Sequence, residues 1–103
     1  MLIYIAGPYT TGDVALNVRD AIYAAEQVLA INHTPFVPHL THLWHLMNPH
    51  EWEYWIDYDS KILSRCDALL RIPGKSEGAD REELQARRMG IPVFFSVEDI
   101  ESQ

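Results

Sequence analysis

Two carboxylates in this chain lie where their helices turn inward. The first is Glu82, in the run Ser76-Glu77-Gly78-Ala79-Asp80-Arg81-Glu82-Glu83. Ala79, Glu82, Ala86 and Met89 recur at helical spacing and share one face, on which only Glu82 is charged. The second is Asp59, on a helix that the spacing predicts from about Glu51 to Arg65. Trp52, Trp55, Ile56, Ile62, Leu63 and Cys66 form the apolar stripe of that helix; Asp59 falls inside it and Asp57 does not. A carboxylate on a buried face is costly unless it is hydrogen-bonded, paired or functional. Two such groups on neighbouring helices divide into acid and base, or into nucleophile and proton donor. Glycosyl transfer with retention needs a pair of this kind about 5 Å apart. Each residue alone also fits a plainer role: Glu82 as a first-turn acid in the field of the helix dipole, Asp59 as a carboxylate satisfied by a backbone N–H or an arginine.

The residues around Glu82 offer a place for an anion. A Gly78-Ala79 pair opening a helix leaves N–H groups uncovered, and the dipole favours negative charge there. Ser76 either hydrogen-bonds a phosphate or closes a turn, and Glu83, three residues after Asp80, reads as half of a capping box. Tyr4 interrupts an aliphatic strand; it is a core aromatic or a hydroxyl that orients Glu82. His39, His42, His45 and His50 crowd one segment, with His33 just upstream. No cysteine accompanies them and no HExxH pattern is present, so no metal and no cofactor are assigned. Trp44, Trp52, Tyr54 and Trp55 stack on a ring-bearing ligand or cover the core under a long loop.

The elements that must position these groups alternate in type. Leu2-Ile3-Tyr4-Ile5-Ala6 is a continuous apolar run, as in a strand buried on both faces. Gly7 to Gly12 breaks it, Asp13 caps a helix marked by Val14, Val18, Ala21, Ile22, Ala25, Val28 and Leu29, and Asn32 ends that helix. Thr34 to Pro38 is a second strand, and His39 to His50 has no clear period. After the Asp59 helix come a third strand around Ala68 to Ile72, the Glu82 helix closed by Gly90, a fourth strand from Ile91, and one or two helical turns after Val97. This order predicts an α/β domain spanning residues 1–103, an open parallel sheet of four to five strands with flanking helices, flavodoxin- or Rossmann-like. Ligands bind such sheets beyond the C-terminal strand ends, where the special residues fall.

Composition sets limits. With 103 residues, 48% of them apolar, the chain is long enough for one core. A net charge of −7 argues against a nucleic-acid polymer as partner. No apolar run is long enough to span a membrane and no leader pattern is present, so membrane attachment is not expected; the single cysteine, Cys66, fits a reducing, cytoplasmic setting.

The combination Ile3-Tyr4-Ile5-Ala6-Gly7-Pro8-Tyr9, Cys66-Asp67-Ala68-Leu69-Leu70, Gly78-Ala79-Asp80-Arg81-Glu82 and Gly90-Ile91-Pro92-Val93 resembles the nucleoside 2-deoxyribosyltransferase superfamily over nearly the whole chain. Its small bacterial members of unknown function are the nearest in look. The resemblance implies cleavage or transfer at the N-glycosidic bond of a nucleoside or nucleoside 5′-monophosphate, through a glycosyl ester on a glutamate. Glu82 matches that nucleophile, Asp59 the aspartate that assists the leaving base, and Tyr4 the tyrosine that hydrogen-bonds the nucleophile. Gly7, Pro8, Ser76, Gly78 and Ala79 would hold sugar and phosphate, with His39 and Trp55 at the base. Ser76 stands where the monophosphate hydrolases carry serine and the free-nucleoside transferases aspartate. The loop after the first strand lacks the arginine of those hydrolases; Arg19 is the first in the chain. Four short strands make a small platform, so a homodimer completing the site is expected.

Overall fold

Strand β1 (Leu2–Ala6) is paired on both edges, which is why its five residues carry no polar alternation. The computed structural model describes residues 1–103, and the remaining elements follow in order: α1 (Val14–Ala30), β2 (Thr34–Phe36), a 3-10 turn at Pro38–Leu40, α2 (Thr41–Met47), α3 (Trp52–Leu63), β3 (Ala68–Arg71), α4 (Glu77–Arg88), β4 (Val93–Phe94) and α5 (Val97–Glu101). All neighbouring strands run parallel, in the order β2-β1-β3-β4. Pro35 is tolerated because β2 lies at the edge of the sheet.

The period of two along β1 divides the core. Ile3 and Ile5 point to one face, where Ala21, Val28 and Ile100 meet them from α1 and α5. Tyr4 and Ala6 point to the other, against Leu63, Ala79 and Ala86 of α3 and α4. Tyr4 therefore faces the two helices that carry Asp59 and Glu82.

Helix ends are set by local chemistry. Asp13 accepts from the Leu16 N–H at 3.1 Å and starts α1. Asn32, in the left-handed region at φ 67°, closes it. Ser76 Oγ accepts from the Ala79 N–H at 3.1 Å and starts α4, and Gly90, at φ 74°, follows its end.

Several sequence expectations need correction. The His39 to His50 segment, which has no clear period, is nevertheless largely helical: it forms the 3-10 turn and α2, which buries none of its own residues and so leaves no apolar stripe to read. Trp52 and Met89, assigned to inner faces, are 65% and 47% exposed, and Ile22 and Leu29 of α1 also face outward. Asp80 and Glu83 form no capping box. Ser76 caps α4, and Arg71 draws both acids, at 2.7 Å and 3.6 Å.

The loops after β1 and β3 are wedged together. A Cβ on Gly7 would lie 2.2 Å from Cγ1 of buried Ile72. Gly74, at φ 123°, sits against Pro8, where a Cβ would fall 2.5 Å from the ring. Gly7→Ala is expected to destabilise the protein by about 1–3 kcal/mol, read as a lower urea midpoint at unchanged slope. Gly78→Ala, whose Cβ would first meet Arg81 at 3.6 Å, is expected to stay within about 1 kcal/mol of wild type, on the favourable side.

Candidate active site

Glu82 projects from the inner face of α4, and the Tyr4 hydroxyl donates a hydrogen bond to its Oε2. Burial first, and then the neighbouring Glu82 charge, hold the Tyr4 phenol well above its usual range, so it remains a donor. Burial lifts Glu82 to about 7, against the opposing pull of the Tyr4 hydrogen bond and of Arg81 and Arg71. Asp59 enters from α3. Burial, and secondly the Glu82 charge, raise it to about 7 as well. Its Oδ1 is buried with no hydrogen-bond partner in the protein, an environment that suits a protonated carboxyl and penalises an ionised one. The phenol and the two arginines favour ionisation of Glu82; its negative charge then keeps the proton on Asp59. The two groups act as a coupled pair that holds one proton near neutrality.

The loop between β3 and α4 is held by Arg71. Its guanidinium donates to the Gly74 carbonyl at 2.8 Å and to Asp80 at 2.7 Å, and its Nε donates to the Ile72 carbonyl at 3.3 Å. This fixes the approach to Ser76, Gly78 and Ala79. Ser76 is buried, and its Oγ accepts from the Ala79 N–H. The N–H groups of Glu77 and Gly78 are the ones left without an intrahelical acceptor, at the positive end of the helix dipole.

The loop after β1 is held from below. His39, 4% exposed, donates from Nε2 to the Pro8 carbonyl at 2.9 Å, and burial lowers its pKa so that it stays neutral. Asn17 donates to the carbonyls of Tyr9 and Thr11, both at 2.8 Å, and the Tyr9 hydroxyl pairs with His42 Nδ1. Trp55 donates from its ring N–H to His45 Nδ1 at 2.8 Å and meets Trp44 edge-on at 5.5 Å. His50 stacks on Tyr54 at 4.0 Å. Each histidine of the segment thus has its own local partner, and no three His, Cys, Asp or Glu side chains converge as metal ligands would.

Tyr4, Asp59 and Glu82 therefore meet, from β1, α3 and α4. Gly7 and Pro8 lie on the loop after β1, Ser76 ends the loop after β3, and Gly78 and Ala79 open α4, all at the C-terminal sheet edge, while Trp55 stands one turn before Asp59. His39 instead faces inward and supports Pro8. Sequence reasoning missed Arg71, Ser60 and Gln85. Arg71 had a signal, a charge ending an apolar strand run; Ser60 and Gln85 had none.

Residues 1–96 match the family described as a domain of unknown function, DUF7768. The chain belongs to that family. No curated protein matches this DUF7768 chain in sequence. In three dimensions it superposes on the 2-deoxyribosyltransferase of the psychrotolerant bacterium Bacillus psychrosaccharolyticus, with a TM-score of 0.71, 17% identity, and coverage of 100% of this chain and 92% of that one. That enzyme is described as a suitable biocatalyst for the industrial synthesis of antiviral and antitumoral nucleosides. At this identity the likeness establishes the fold. No helix of the DUF7768 chain is long and apolar enough to cross a membrane.

The buried pair makes stability depend on pH in a fixed direction. Asp59 and Glu82 keep their protons to about 7 in the folded state, against ordinary values of 3.8 and 4.5. The native state thus binds more protons across that window, and this contribution is full below about pH 4 and lost as pH rises through about 7. Asp59→Asn is expected to melt several degrees above wild type at pH 8, with the gap shrinking at pH 5, in calorimetric scans.

Proposed function

We propose that the chain cleaves, or transfers at, the N-glycosidic bond of a deoxynucleoside, nucleoside or nucleoside 5′-monophosphate by a retaining double displacement. The observation that carries this reading is the convergence of Tyr4, Asp59 and Glu82: a phenol that donates to one buried carboxyl, with a second, unpartnered carboxyl oxygen from the neighbouring helix. Shared fold with a 2-deoxyribosyltransferase supports it.

In the first step ionised Glu82 attacks C1′ of the sugar through the oxygen that Tyr4 leaves free. The C1′–N bond breaks, its electron pair passes to the base, and protonated Asp59 supplies the proton. A glycosyl ester on Glu82 results. In the second step Asp59, now a carboxylate, takes a proton from water, or a second base presents its nitrogen; C1′ is attacked and Glu82 leaves. Tyr4 holds Glu82 in the attacking rotamer. The uncovered N–H groups of Glu77 and Gly78 and the Ser76 hydroxyl suit a sugar oxygen or a 5′-phosphate, and the Trp44–Trp55 cluster suits the base. Leu40, Leu43, Leu46, Met47 and Trp52 are exposed and apolar around this segment. That surface supports a homodimer, to be read by light scattering as twice the chain mass.

Free-base release from a panel of deoxynucleosides and 5′-monophosphates, followed by chromatography, tests the reaction. Glu82→Gln is expected to lose release by about 10³-fold or more, and Tyr4→Phe by a smaller factor. Retained release in Glu82→Gln would remove the glycosyl ester from the mechanism, and ligand binding without any release would make the chain a nucleotide-binding module. Because one carboxyl must be ionised and the other protonated, kcat/KM is expected to follow a bell centred near pH 7, its limbs belonging to the pair. Asp59→Asn should abolish the alkaline limb.

A further inference from the structure

Asp59 and Glu82 are on different helices, and the packing between those helices is thin. Of the twelve residues of α3 only Leu63 is buried. The hydrogen bonds that join α3 to α4 all involve one pair, Ser60 and Gln85. Ser60 Oγ donates to Gln85 Oε1 at 3.1 Å, and Gln85 Nε2 donates to the Ser60 carbonyl at 3.1 Å. Both ends of the amide thus close on a single residue. Gln85 Nε2 also reaches Met89 Sδ at 3.6 Å, which braces the side chain along α4. Ser60 directly follows Asp59, and Gln85 stands three residues after Glu82, one turn along the same face. A two-point polar clamp tolerates displacements of tenths of an ångström, whereas a few apolar contacts between half-buried helices let one slide along the other.

We propose that Gln85, through its double hydrogen bond to Ser60, is the positioning residue that sets the separation of Asp59 and Glu82. It touches neither carboxyl and carries no charge. The charged and titratable groups that face the pair are Tyr4 of β1, Arg71 of β3, Arg81 of α4, and Cys66 beside Tyr4. None belongs to the clamp. Removing the clamp changes no charge, so a change in how the pair titrates reports the separation of the two helices, through the mutual charge of the pair and through its burial. The proposal rests on the reading of Asp59 and Glu82 as the working pair, yet its test needs no turnover.

The experiment is a pH titration of the side-chain carboxyl ¹³C signals of Asp59 and Glu82 in the full chain, without ligand. Wild type is expected to show two separated steps. In Gln85→Leu, similar in size and unable to form either bond, the upper step is expected to fall by about one pH unit as the groups part. Ser60→Ala, which removes only the hydroxyl bond, should move it the same way by less, and Ser60→Thr, which keeps both bonds, should titrate as wild type. If Gln85→Leu does not fold, Ser60→Ala against Ser60→Thr carries the decision. An unchanged titration in a folded clamp variant, or an equal shift in Ser60→Thr, overturns the proposal. A chain that releases no base but shows these shifts retains the clamp and loses only the reaction.

Discussion

A single hydrogen bond, from Tyr4 to Glu82, organises this molecule's chemistry. Tyr4 is in the middle of the central strand, wholly buried, and one of its neighbours is the Phe36 ring at 5.5 Å. A phenol there would be an unpaired polar group in the core unless something accepted its proton. Glu82 accepts, and so a carboxylate is drawn into a space that burial would otherwise make hostile to its charge. The second carboxyl, Asp59, then meets a site that already contains one negative charge. The sheet, the inner faces of α3 and α4, and the protonation state of the pair all follow from that contact.

The same contact accounts for what was legible in the sequence. Periodicity found Glu82 because its neighbours on the stripe, Ala79 and Ala86, are buried against the strand. It found Asp59 even though Trp52, which marks the same stripe, is exposed, because the remaining apolar positions kept the phase. The parallel sheet was readable from apolar runs without alternation. What could not be read was contact between residues distant in the chain and neutral in character. Gln85 and Ser60 look like ordinary helix-surface residues until two helices are laid side by side. His39 looked like a ligand-facing histidine because sequence gives no direction to a ring, and in space it turns inward to carry Pro8. Segment α2 escaped because a helix that buries nothing of itself shows no period.

Electrostatics around the pair also explains why a chain with a net charge of −7 keeps arginine where it does. Arg71, with only 11% of its side chain exposed, spends its donors on two backbone carbonyls and Asp80, and stands 3.6 Å from Glu83. It stiffens a loop, and together with Arg81 it favours the ionised form of Glu82. The guanidinium is suited to both tasks since it offers five donors in one plane and does not lose its charge.

The interlocked glycines give the loops after β1 and β3 a common fate. With Gly7 pressed on Ile72 and Gly74 on Pro8, neither loop has room to fold over an incoming molecule independently of the other. The position of one loop against the other is set when the chain folds. The conformational entropy of the two loops is therefore lost together, on folding, and not one loop at a time.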